Sequence, residues 1–182
     1  MMQRLVAAYC DRTLFLLLRT FLEIIALRKG PGQIPSSSLL LLLSLAMMFL
    51  AAFCGVTLIE ELDSTDLAIG LLTSGVVLAF YFGVLVVTGF ARRSLQVLTC
   101  VIGCGALLSM LSIAEFVLFR PFIGQGLAGT VAVLVGFWSI PVEGHILARA
   151  IGQHWFVGIA IAVAAAILQL ILQAMITEPG SR

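Results

Sequence analysis

"LRKGPGQIPSSSLLLLLSLAMMFLAAF", Leu27–Phe53, sets a charged helix end against Gly-Pro-Gly, a second proline, three serines and then a run of leucine. After Lys29 no charged residue follows until Glu60, a stretch of apolar chain long enough to cross hydrocarbon about 30 Å thick at 1.5 Å per helical residue. The same balance holds across the 182 residues, of which 62% are hydrophobic and only 10% charged. A soluble domain is typically about a quarter charged, and one core of this size would leave too few polar groups to cover its outside. Lipid is the solvent that fits. A net charge of +1 carries no basic face of the kind nucleic acid requires, so no nucleic-acid partner is expected.

Working outward from the leucine run, five spans are predicted: 38–58, 67–90, 94–118, 127–147 and 155–176. Their separators carry breakers or charges, namely "IEELDSTD" (59–66), Arg92-Arg93, "FRPFIGQG" (119–126) and "ARAIGQH" (148–154). Lipid permits no unpaired backbone, so the expected fold is all-α: a polytopic membrane bundle of five transmembrane helices preceded by an amphipathic interfacial helix. The short connections predict that consecutive spans pack as antiparallel hairpins. A short exterior tail, 177–182, closes the chain, and no soluble domain is expected.

The basic residues are uneven. Arg4, Arg12, Arg19, Arg28 and Lys29 precede the first span, Arg92 and Arg93 separate spans two and three, and Arg149 separates four and five. The other side holds only Arg120 and Arg182, while Glu60, Glu61, Asp63 and Asp66 crowd its first connection. The positive-inside rule then places the N-terminus in the cytoplasm and the C-terminus outside.

Residues 1–30 read as an amphipathic helix on the cytoplasmic face, joined by 31–37 to the five-helix domain 38–176. Arg12, Arg19 and Glu23 share one arc of it, with Glu23 meeting Arg19 at i,i−4, and Leu, Phe and Ile fill the rest. Such a helix can lie among anionic headgroups, with Arg12, Arg19, Arg28 and Lys29 facing lipid, or pack on the bundle as a partly buried sixth helix; the charged stripe favours the plane. Gly30 is the expected stop, because Pro31 cannot continue a helix and Gly32 leaves the chain free to turn. A signal peptide is not expected, since Asp11, Arg12, Arg19 and Glu23 interrupt any uncharged run, and "LAAFCG" around Cys54 lacks the small residue a lipoprotein cleavage box needs.

Few groups can carry chemistry at membrane depth. Glu115 aligns with Ser112 and Ser109 at spacings of three, a candidate intramembrane polar site for a cation or substrate group, or a snorkelling carboxylate paired with Arg120. "WSIPVEGHILARAIGQHW" (138–155) holds Glu143, His145, Arg149 and His154 beyond Pro141, which removes a helix hydrogen bond and predicts a kink. This cluster is a candidate site for a partner, headgroup or proton; interfacial anchoring by Trp138 and Trp155 accounts for the same residues. The spacing is not that of a zinc HExxH motif. Cys100 and Cys104 share a helical face without the His or Asp that would complete a metal site, so structural thiols and no cofactor are expected. Small residues recur on span two (Gly75, Ala79, Gly83) and span five (Gly158, Ala162, Ala166, followed by Gln169 and Gln173), which suits close helix packing or an interface with a second copy or another membrane protein. No phosphate loop, catalytic triad or paired carboxylates are found. An enzyme acting on lipid would need a polar cavity among spans three to five.

In layout the chain resembles the Yip-type membrane proteins, Rab-interacting in eukaryotes and with many bacterial relatives. Shared are a cytoplasmic amphipathic N-terminal region, a Gly-Pro joint, five closely spaced helices and a very short exterior tail. Gly30-Pro31 is similar to the end of that family's Asp-Leu-Tyr-Gly-Pro segment, here without its acidic and aromatic members, and "WSIPVEGHILARAIG" is similar to the fourth-span end of small bacterial inner-membrane proteins. The resemblance implies a non-enzymatic scaffold or partner-binding component. A single lysine among ten basic residues suits an arginine-rich bacterial coding background, hence a bacterial inner membrane. The alternative is a small transporter or accessory subunit using Glu115 or the Glu143/His145 pair.

Overall fold

The computed structural model describes residues 16–59 and 64–177, all of them helix, turn or connection. Residues 16–25 form the described part of α1. Then follow α2 (Ser38–Leu58), α3 (Ser64–Val87), α4 (Ser94–Ile123), α5 (Gln125–Ile151) and α6 (Trp155–Thr177). Each of α2 to α6 is long and apolar enough to cross a bilayer, and the chain is an integral membrane protein. Large apolar side chains such as Leu39, Phe53, Leu72, Phe82, Leu134 and Leu170 cover its outside, an arrangement that lipid tolerates and water does not.

The spans start and stop where local chemistry dictates. α3 begins three residues before the expected 67, at Ser64, with Asp66 in a first turn that favours negative charge. It ends at Val87, and Gly89 follows at φ +83. "FRPFIGQG" is not a loop: α4 runs through Pro121 to Ile123, and Gly124 alone caps both α4 and α5. Its φ of 78° and ψ of 159° suit only glycine. α5 passes through Pro141 and stops at Gly152, left-handed at φ 66.

The first helix stops earlier than expected. Leu27, not Gly30, takes the left-handed conformation at φ 60. Leu27 N–H bonds Ile24 O at 2.8 Å and Arg28 N–H bonds Glu23 O at 2.9 Å, the paired closure of a Schellman motif. A leucine there is strained by roughly 1 kcal/mol relative to glycine, a cost offset by its side chain packing on the core. Gly30 serves a different purpose, since a side chain at that position would meet Arg149 Cβ at 3.2 Å. Its bareness lets the joint lie against α5.

Of the two placements open to the first helix, the described part is packed on the bundle. Ile24 is fully buried and Phe21 nearly so. The Phe21 ring lies where a side chain on Gly103 of α4 would stand. Trp138 Nε1 donates to Ile25 O at 3.2 Å, an unpaired helix-end carbonyl met by an indole. Arg19 and Lys29 both reach Glu23, at 3.2 and 2.5 Å. The Lys29 hydrogen bond, aided by Arg19, holds the Glu23 carboxyl below its ordinary 4.5. A depressed carboxyl stabilises the fold above that ordinary value, and its contribution fades as pH falls through the lower one.

Pairing of the spans departs from a chain of hairpins. α4–α5 and α5–α6 do pack as consecutive antiparallel pairs, but α2 and α3 barely touch. α2 lies along α4 and α3 along α6 instead. α4 is the hub, buried over almost its whole length from Val97 to Leu108. The α2 face against it is small, with Ser44, Ala51 and Gly55 buried. Small residues permit close approach where Leu against Leu gains nothing over Leu against lipid.

Candidate functional site

With α2 and α3 parted, a cavity of about 520 Å³ opens among α2 to α6. It follows α3 from Asp66 to Leu78, about 18 Å at helical rise. Its walls are mainly apolar, from Leu67, Leu71, Val101, Ile102 and Leu108 among others, with polar groups from Ser74, Ser112, Ser139 and Gln169. Among the described residues, the only ionisable ones on it are acidic: Asp66 at one end and Glu143 at the other.

Glu143 is held by one strong contact. Tyr81, wholly buried on α3, donates its hydroxyl to Glu143 Oε2 across the bundle. Thr73, Val77, Tyr81 and Leu85 are spaced by four and form the buried stripe of α3, so helical period alone aims Tyr81 inward. Glu143 lies one residue before Gly144, at the tightest crossing in the fold. A side chain on Gly158 would stand 2.0 Å from Gly144 O, and one on Gly144 would stand 2.9 Å from Ile159 Cα. That backbone contact leaves α5 little freedom to rotate Glu143 away. Both ion pairs among the described residues are made by Glu23, so Glu143 has none. Beyond Tyr81 the bundle is packed with apolar side chains. Leu85, Val97, Val142, Ile146 and Leu147 form a core that Phe21, Ile24 and Ile34 complete from the α1 side.

The other expected site residues are dispersed. His145, one position past Gly144, faces away from the cavity, and its Nε2 meets Lys29 O at 3.2 Å. Arg149 lies under Gly30, and His154 is exposed and stacked on Phe156 at 5.3 Å. His145 and Arg149, four residues apart on one face of α5, thus both meet the joint at Lys29 and Gly30, whereas a 100° step per residue sends Glu143 to another face and His154 lies apart on α6's side. Ser112 lines the cavity and Glu115 does not; Glu115 Oε2 is shielded from solvent without a hydrogen bond among the described residues. Arg19 and Lys29 are spent on Glu23, Arg28 is exposed, and Arg12 lies outside the described residues. On α6, Gly158 and Ala162 are buried at the α5 crossing, with Ala165 rather than Ala166 continuing the buried line. Gln169 reaches the cavity, and Gln173 O accepts from Thr177. Gly75 and Gly83 have nothing within 4 Å of where a side chain would begin, so neither makes a close contact with a described helix.

Tyr81 was missed in the sequence although a signal existed. It is one of two tyrosines, and a phenol at mid-span needs a partner for its hydroxyl. No group of three or more His, Cys, Asp or Glu among the described residues could hold a metal ion, and Cys54, Cys100 and Cys104 are free thiols. Comparison with known proteins finds no matching family model, no matching curated protein and no matching solved structure.

Proposed function

We propose that this protein binds a small lipophilic organic cation in the intramembrane cavity, with Glu143 as its counter-charge, and serves as a small transporter or the solute-binding subunit of one. The observation that carries the reading is the Glu143–Tyr81 pair at the floor of a mainly apolar cavity whose second carboxylate, Asp66, lies at the far end. A carboxylate at this depth has a large desolvation cost unless a cation or proton neutralises it, and no basic side chain lines the cavity. The volume falls within the roughly 300–1,000 Å³ of small-molecule sites and far exceeds what a bare ion fills. Apolar walls with one fixed carboxylate suit an amine or quaternary cation bearing hydrocarbon. Tyr81 orients the carboxylate and occupies one oxygen, leaving the other for the solute or for a proton that takes its place.

The arginine asymmetry supports a cytoplasmic N-terminus, and the use of arginine over lysine suits a bacterial inner membrane. In that orientation the Asp66 end of the cavity faces outward and Glu143 lies past the middle of α5 toward the cytoplasm, with the α1 side of the core beyond it. A second reading, a partner-binding scaffold of Yip type, draws on the Gly30-Pro31 joint being docked on α5. It predicts a stable partner on crosslinking and co-purification, with no role for Glu143.

Binding of tetraphenylphosphonium to the purified full chain in detergent discriminates between them. Wild type is expected to bind and Glu143→Gln to lose at least tenfold in affinity, about 1.4 kcal/mol, a modest value for removing a desolvated charge partner. Equal affinity in the two proteins, or no binding by either, removes the proposal.

A further inference from the structure

A second cavity, of about 350 Å³, lies at the end of the bundle where α5 finishes and α4 begins. Its walls are the turn Gly30–Gln33, Gln96 and Val97 of α4, Ala150 of α5, and two arginines, Arg93 and Arg149. No acidic residue lines it among the described residues. Arg93 Nη1 donates to Ala150 O at 3.3 Å, and its guanidinium carbon stands 5.7 Å from the Phe90 ring centre. Arg149 makes no hydrogen bond and no ion pair among the described residues, and its Cβ, Cγ and Cδ pack beneath Gly30. The turn itself is pinned, because Gln96 Nε2 donates to Ile34 O at 2.9 Å.

From this geometry we infer that the Arg93–Arg149 notch is a binding site for a phosphate group, either that of an anionic lipid headgroup or a free phosphate.

Two arginines line one cavity with no carboxylate among its described lining residues, and an anion bound between them would be attracted by both charges. Arg93 is held in part by the α5 carbonyl, and the Arg149 stem lies against the joint, which reduces the side-chain entropy lost on binding. Guanidinium presents its N–H donors in a planar fork that matches pairs of phosphate oxygens, and two forks from different helices can hold one phosphate from two sides. A side chain at Gly30 would press on the Arg149 stem at 3.2 Å, whereas Gly32 has nothing within 4 Å. The notch is remote from Glu143 and stands independently of the cavity's proposed role. It also explains why the joint is built as an ordered Gly-Pro-Gly turn: it forms one wall of the site.

The test uses the purified full chain in detergent, with native mass spectrometry for bound lipid and thermal unfolding for stabilisation. The probes are dioleoylphosphatidylglycerol, dioleoylphosphatidylcholine and inorganic phosphate. Wild type is expected to retain phosphatidylglycerol in preference to phosphatidylcholine and to melt higher in its presence. Arg93→Gln with Arg149→Gln should lower that affinity at least tenfold and abolish the thermal shift. Arg92→Gln, next to the site but not on it, should change neither. The pair Arg93→Lys and Arg149→Lys, which keeps charge without the fork, should retain part of the binding and shows that the fold survives. Stabilisation by inorganic phosphate alone, lost in the glutamine double variant, assigns the site to free phosphate; stabilisation by phosphatidylglycerol alone assigns it to a headgroup. Undiminished retention by the glutamine double variant, or an equal loss in Arg92→Gln, overturns the inference.

Discussion

Gly158→Ala is expected to be the most damaging single methyl in the protein. The added carbon would stand 2.0 Å from Gly144 O, 2.8 Å from Ala148 Cβ and 2.9 Å from Ala148 N. Two of those atoms are backbone and cannot rotate aside, so α6 must move off α5 as a body. Overpacking of a close-packed contact typically costs 1–3 kcal/mol, and a backbone clash belongs at or above about 3 kcal/mol. The consequences extend beyond the crossing, since α3 packs along α6 and Gln169 of α6 lines the cavity. Gly75→Ala is the matched control: it adds the same methyl in open space on a helix and should be neutral or slightly stabilising. Thermal unfolding in detergent reads both, and a Gly158→Ala protein that melts with wild type would mean the α5–α6 crossing is not as close as described.

Phe21→Ala is expected to loosen the side of the core that separates the cavity floor from the Arg-rich end. Phe21 fills the space above Gly103, and Cys104 Sγ contacts Phe21 O at 3.9 Å. Phe→Ala in a core costs about 3–5 kcal/mol, and roughly 2–3 kcal/mol is apt here because lipid is as apolar as the space vacated. The two thiols beneath provide the readout. In a Cys10→Ser, Cys54→Ser background, Cys100 and Cys104 are buried and should react slowly with a maleimide. Phe21→Ala should raise that rate at least tenfold if α1 covers them. An unchanged rate would show that α1 is not what closes this part of the bundle.

Much of the architecture follows from local chemistry, and was readable for that reason. Inside lipid each span must satisfy its own backbone, so uninterrupted apolar runs such as Ser38–Leu58 can only be helices of spanning length. Helix starts were legible to within a few residues, as at Ser38 and Ser94, whereas ends were misplaced: the fourth span, expected to stop at 147, runs on to Ile151, where Gly152 closes it. Leu27 accepts a conformation that favours glycine because its side chain reaches the core, while Gly30 is glycine for the sake of Arg149. Pairing of the spans was beyond the sequence. Gly75 and Gly158 head equally good small-residue stripes, yet only Gly158 meets a partner, and lipid removes the hydrophobic drive that would otherwise mark the buried face. The functional contacts share that origin. Tyr81 and Glu143 are 62 residues apart, and Arg93 and Arg149 sit on different helices; only the parting of α2 from α3 and the docking of the joint on α5 bring a carboxylate to one cavity and two arginines to the other.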